Sequence, residues 1–257
     1  MLGRSLKMAF WIFHDHLGLL LLVNLIWAVA VAAPIAIALP PIYSGDFELA
    51  LVIGAPAFYI ALFLLNPVVG VGIVQLIKVF IDTRDGSLAD FLDGIRRYGL
   101  RAALLGSCYA VAVVALGTST WFYASKLQST APILGYGISA LALWCLAMLG
   151  LTALFALPAL AQRKTGVFAT MKLAALLVLA NPLLAVGMAI QCLMLAIVTA
   201  CLLPLFFAGF GSAILCIQSA AYELLSRKYA ANDGSTPGAN DDYLNRGLRD
   251  LFFPWKS

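Results

Sequence analysis

The stretch LGLLLLVNLIWAVAVAAPIAIAL, residues 17–39, is 23 residues long and carries no charge. A helix rises ~1.5 Å per residue, so such a segment reaches across the ~30 Å hydrocarbon core of a bilayer. Comparable apolar runs cover 49–81, about 100–123, about 132–160 and 167–225. With no water inside a bilayer, only helices and closed barrels satisfy their own backbone polar groups. Barrel strands alternate apolar and polar side chains. These runs are continuously apolar, so they are read as helices. The composition agrees: 11% of the residues are charged and 63% hydrophobic, where a soluble domain carries roughly 25% charged residues.

The run 49–81 is interrupted at Asn66–Pro67, and the run 167–225 at Asn181–Pro182 and again near Pro204 and Gly209. Proline lacks a backbone donor and crowds the preceding turn, so 49–81 is expected to be a kinked span or two half-segments. The longer run is expected to hold two spans joined by a tight turn. The expectation is an all-α polytopic bundle of about six transmembrane helices, covering 1–228, with a tail at 229–257 that contains the flexible stretch NDGSTPGANDD. Residues 1–16 are expected to form a cytoplasmic lead-in, with Trp11 and Phe13 at the interface. The first apolar run exceeds the ~7–15 residues of a signal-peptide core, so it is read as an uncleaved helix closed by Pro40 and Pro41.

Fifteen of the 16 Lys and Arg residues fall on one side of this arrangement, with Lys126 alone on the other. The positive-inside rule then puts both termini in the cytoplasm, and the lipid bilayer is the first partner. A formal charge of +4, scattered along the chain, is too weak for nucleic acid.

The segment DTRDGSLADFLDGIRRYG, residues 82–99, breaks the apolar pattern between spans two and three. Ser87 and Asp90 have the spacing of a capping box. Leu88, Phe91, Leu92 and Ile95 recur at helical spacing and form one apolar stripe. Arg96 and Arg97 complement the dipole at the far end. The expectation is a short cytoplasmic amphipathic helix over 87–98 that rests in the headgroup region or docks a cytosolic partner. The tail sequence YLNRGLRDLFFPWKS aligns Leu244, Leu248, Leu251 and Phe252, followed by Trp255 and Lys256, and is read as a second docking element.

No ionisable residue falls mid-span; Lys78 and Glu223 are the deepest and both lie near cytoplasmic ends. That argues against a proton relay. Asn24, Gln191 and Gln218, with Asn66, Gln75 and Asn181, are read as hydrogen-bonding groups between helices, and the pairs Gly106/Ala110 and Gly135/Ser139 as close-packing positions. His14 and His16 are two apart and face different ways on a helix, so they do not make a metal site. The five cysteines lie in apolar runs and are read as packing residues. No nucleophile–base pair and no phosphate loop is visible, so neither an enzyme nor a cofactor is expected.

LLNPVVGVG at 64–72 and LANPLLAVG at 179–187 are alike. Paired breaks of this kind mark binding sites in transporters built from inverted repeats, which makes Asn66, Pro67, Asn181 and Pro182 candidates for a pathway. The two motifs resemble those of aquaporins, but Val68 and Leu183 stand where that family has alanine, and no arginine follows the second. Three other segments, HDHLGLLLLVNLIW, GSLADFLDGIRRYGLRAALLG and ALLVLANPLL, resemble the YesL-like family of bacterial membrane proteins over residues 12–228. The likeness is carried by Asn24, Leu25, Ile26 and Trp27, by Ser87, Leu88, Ala89, Asp90 and Phe91, and by Ala180, Asn181, Pro182 and Leu183. The resemblance implies a bacterial inner-membrane protein with an accessory role beside carbohydrate uptake systems. The expected function is a non-catalytic accessory or structural subunit, with a membrane-protein partner or a second copy of itself. A solute pathway at the Asn–Pro breaks is the alternative.

Overall fold

The structure is a computed structural model that describes residues 1–126, 131–163, 166–232 and 242–246. Every element among them is helical: α1 Leu2–Asp15, α2 Leu17–Tyr43, α3 Phe47–Thr83, α4 Leu88–Ser125, α5 Pro132–Arg163, α6 Val167–Ala180, α7 Pro182–Cys201, α8 Gly211–Asn232 and the short α9 Asp242–Asn245. Six of these helices are long and apolar enough to cross a membrane, α2, α3, α4, α5, α7 and the helix built on α8. The chain is therefore an all-α polytopic bundle.

Several boundaries differ from the sequence reading. Pro40 and Pro41 do not end α2, which continues to Tyr43. Proline's fixed φ is itself helical, and the Ser44 N–H closes the end on the Pro40 carbonyl. Asn66–Pro67 does not break α3 either. The helix widens into a π-helical turn over Ile60–Leu65, where the Asn66 N–H reaches five residues back to the Ala61 carbonyl. The same device precedes Pro56, with the Ala55 N–H bonded to the Ala50 carbonyl. A π-turn makes room for the proline ring and rehouses the donors around it. Asn181 is a true break, with φ −138° and ψ 59°. It separates α6, too short to span, from α7.

The charged segment is helical from Leu88, but it is not a separate helix. It runs without interruption into the third span as the 38-residue α4. Gly99 alone is a weak breaker, and no proline or capping residue intervenes. The helix start is held by Asp90, whose Oδ2 accepts from both the Ser87 N–H and the Ser87 hydroxyl at 2.9 Å. Of the apolar stripe, Phe91 and Ile95 turn inward onto α3, whereas Leu88 and Leu92 stay exposed. Phe91 is buried, and a Cβ at Gly72 would come within 2.9 Å of its ring. A Cβ at Gly94 would come within 2.6 Å of the Gln75 Cβ. The absence of side chains at Gly72 and Gly94 lets the two longest helices pack backbone to backbone.

One end of the bundle gathers the basic residues. There the lead-in forms the helix α1, whose Met8, Ala9, Trp11 and Ile12 are buried in the core. Tyr243 and Leu244 of α9 fold back onto this end. Lys7 Nζ donates to the Leu244 carbonyl at 2.6 Å, Arg246 pairs with Asp15, and Arg84 lies 5.0 Å from the centre of the Tyr243 ring. The rest of the expected docking tail, Leu248, Leu251, Phe252, Trp255 and Lys256, lies outside the described residues.

Candidate functional site: a central apolar cavity

A cavity of about 800 Å³ lies between α2, α3, α4, α5 and the start of α8. Its volume is within the ~300–1,000 Å³ of small-molecule sites. The π-turn of α3 makes much of it. By bulging ahead of Pro67, the helix places Leu62, Phe63 and Asn66 on the cavity wall. Gly106 of α4 lies directly against this bulge, so that a Cβ there would overlap the Phe63 carbonyl oxygen and meet the Pro67 ring at 2.8 Å. Phe63 is four residues before Pro67, so its carbonyl is the one that proline cannot satisfy.

A second irregularity shapes the opposite wall. Phe206–Phe210 form a π-helical turn ahead of α8, with Gly209 at φ 150°. That conformation strongly favours glycine. Asn24 of α2, wholly buried, holds the turn. Its Nδ2 donates to the carbonyls of Phe206 at 3.0 Å and Phe207 at 2.8 Å, and its Oδ1 accepts from the Ser212 N–H at 3.1 Å. Trp27 packs between the two walls. Its indole N–H donates to Asn66 Oδ1 at 2.9 Å, and Gly211 leaves room for its ring.

The lining is almost wholly aliphatic and aromatic and includes no Asp, Glu, Lys, Arg or His. Its polar groups are few. The Tyr109 hydroxyl bonds the Thr152 hydroxyl at 2.9 Å, joining α4 to α5. Asn66 Nδ2 makes only a long 3.5 Å bond to the Leu62 carbonyl. Gln218 is 8% exposed and lines the cavity from α8. Sequence reading had not singled out Tyr109 and Thr152; a hydroxyl in mid-span on each of two successive helices was the available signal.

The other candidate residues lie elsewhere. Asn181 is at the basic end, where its Nδ2 donates to the Tyr229 hydroxyl at 2.8 Å beside Met1, Leu2 and Pro182. The two Asn–Pro motifs therefore do not meet in one site. Gln191 is half-buried on α7, which does not line the cavity. Of the proposed docking residues, Phe91 is buried and Ile95 half-buried, whereas Leu88, Leu92, Arg96 and Arg97 remain exposed. Ser139 Oγ donates to the Thr120 carbonyl at 3.0 Å, closing α5 onto α4 at the far end.

At the basic end, His16 stacks on Phe80 with ring centres 3.7 Å apart and lies 3.4 Å from the Tyr243 hydroxyl. Burial lowers its pKa below the ordinary 6.5, partly offset by Asp15 and Asp85, with Arg246 adding to the lowering.

These features define a six-span helical membrane protein with an uncharged internal cavity. No family model, no curated protein and no solved structure matches the chain.

Proposed function

We propose that this chain is a non-catalytic protein of the bacterial inner membrane, an accessory or structural subunit that stands beside other membrane proteins. The observation that carries the reading is the use of the intramembrane polar groups. Asn24, the Trp27–Asn66 pair, the Tyr109–Thr152 pair and Ser139 all tie one helix to another. Apart from Asp46, Glu48 and Lys126, the charged groups among the described residues gather at the end that the positive-inside rule assigns to the cytoplasm. The similarity of three motifs to the YesL-like family supports the same reading, including a link to carbohydrate uptake.

The exposed remnant of the charged segment, Leu88, Leu92, Arg96 and Arg97, is the surface offered to a partner. The test is the native mass and composition of the protein extracted from its own membranes in mild detergent. An assembly with other chains, lost on Leu92→Asp together with Arg96→Glu, supports the reading. A monomer or a homo-oligomer alone counts against it. Phe91→Asp is unsuited to this test because Phe91 belongs to the core.

A second reading, a transport pathway, draws on the cavity with Asn66 in its wall. Its solute would be apolar, since the lining offers a sugar few partners. Flux of an apolar solute in proteoliposomes, reduced by Asn66→Leu, would favour it.

A further inference from the structure

We propose that the central cavity binds a neutral lipid: a molecule with a long hydrocarbon chain and an uncharged ester or hydroxyl group, of the diacylglycerol type. The proposal goes beyond the accessory reading and holds whether or not the chain purifies with partners.

A cavity of about 800 Å³ open along one side is filled by whatever medium it meets. Water is a poor occupant, because each buried molecule needs two to four polar partners and this lining is nearly all apolar. The surrounding medium is hydrocarbon, and the cavity is accessible from it. Leu62, Val113 and Gly150, at the end remote from the basic residues, are exposed, whereas Leu105, Leu215 and Gln218 at the other end are buried. The cavity thus meets the hydrocarbon beside Leu62, Val113 and Gly150 and is walled off at Leu105, Leu215 and Gln218.

The walled-off end sets the chemistry of the ligand. Gln218 is only 8% exposed and lines the cavity, and among the described residues its amide meets no hydrogen-bonding partner. A ligand carbonyl or hydroxyl in the cavity would give this amide a partner. Asn66 Nδ2, held only by its 3.5 Å bond, is a second donor. An ionised headgroup is excluded by the same lining, since no side chain of opposite charge is present to offset its desolvation. A chain long enough to fill the pocket, with one neutral hydrogen-bonding group, fits both requirements.

The test uses the full-length protein in phosphatidylcholine nanodiscs, with a trace of diacylglycerol that carries a diazirine in its acyl chain. Photolabelled residues are mapped by mass spectrometry, and unlabelled diacylglycerol is added as competitor. The expected result is labelling confined to the segments around Leu62–Pro67, Leu146–Leu157 and Ile214–Gln218 and abolished by the competitor. Gly150→Leu narrows the mouth at a position where an added Cβ meets nothing within 4 Å. It should fold as the parent protein does and lose the competable labelling. Gln218→Leu should weaken competition while preserving the fold. Labelling spread evenly over the exposed face of α7 would overturn the proposal. So would equal, competable labelling by a diazirine phosphatidylcholine, or labelling unchanged in Gly150→Leu.

Discussion

The indole N–H of Trp27 donates to the side-chain oxygen of Asn66 at 2.9 Å, and this bond ties the first span to the irregular turn of the second. Asn66 is the last residue before the proline that forces the π-turn, so the bond holds the helix where its own hydrogen bonding is weakest. Removing Asn66 leaves the N–H of the buried Trp27 without its partner, at about 1–3 kcal/mol, and removing Trp27 costs the same bond and its packing. Trp27→Phe and Asn66→Leu should each lower the midpoint of thermal unfolding in detergent. The double variant should fall short of the sum by about 1 kcal/mol, because the two side chains share one bond.

Gly106 and Gly117 lie on the same helix and should respond oppositely to alanine. A Cβ at Gly106 would overlap the Phe63 carbonyl oxygen, whereas one at Gly117 meets nothing within 4 Å. Overpacking of this kind costs about 1–3 kcal/mol. Gly106→Ala should unfold at a markedly lower temperature. Gly117→Ala should match the parent or exceed it slightly, since alanine is the better helix former. Equal unfolding temperatures for the two variants would disprove the close approach of α3 and α4.

Asn24→Leu should open the kink ahead of α8. The substitution removes three bonds, to Phe206, Phe207 and Ser212, and leaves two backbone carbonyls and one N–H without that partner inside a span. A loss of about 2–4 kcal/mol is expected, from ~1–3 kcal/mol per unsatisfied group with partial relaxation. Hydrogen exchange at residues 206–212 should rise well above that at α4. Unchanged protection there would rule out a bracing role for Asn24.

His16 makes the docking of α9 sensitive to acid. Burial against Phe80 and Tyr243 lowers its pKa below 6.5, so the released state takes up the proton more readily than the docked one. The contribution to stability is full above about 6.5 and is lost as pH falls below it. Proteolytic release of the tail should quicken between neutral pH and mildly acidic pH. His16→Phe keeps the stacking and removes the titration, so its release rate should stay flat over that range.

The sequence alone determined the solvent. Long uncharged runs admit only membrane-spanning helices, and the Lys and Arg distribution orients them, because burying a charge in hydrocarbon is costly at every position regardless of neighbours. The capping of α4 by Ser87 and Asp90 was legible for a similar reason: it is a contact among residues four positions apart at most. The tertiary structure decided everything that depends on which surfaces meet. Asn66–Pro67 and Asn181–Pro182 look alike along the chain, yet one is absorbed by a π-turn braced by Trp27 and the other is a break bonded to Tyr229, because different helices lie beside them. The stripe Leu88, Phe91, Leu92 and Ile95 reads equally as a face for headgroups or for a partner; the glycines at 72 and 94, brought opposite each other, draw Phe91 and Ile95 into the bundle and leave Leu88 and Leu92 exposed. The cavity is the furthest of these from the sequence. Its walls include two π-turns, in α3 and ahead of α8, that both meet Trp27, and no local pattern reports the space between helices.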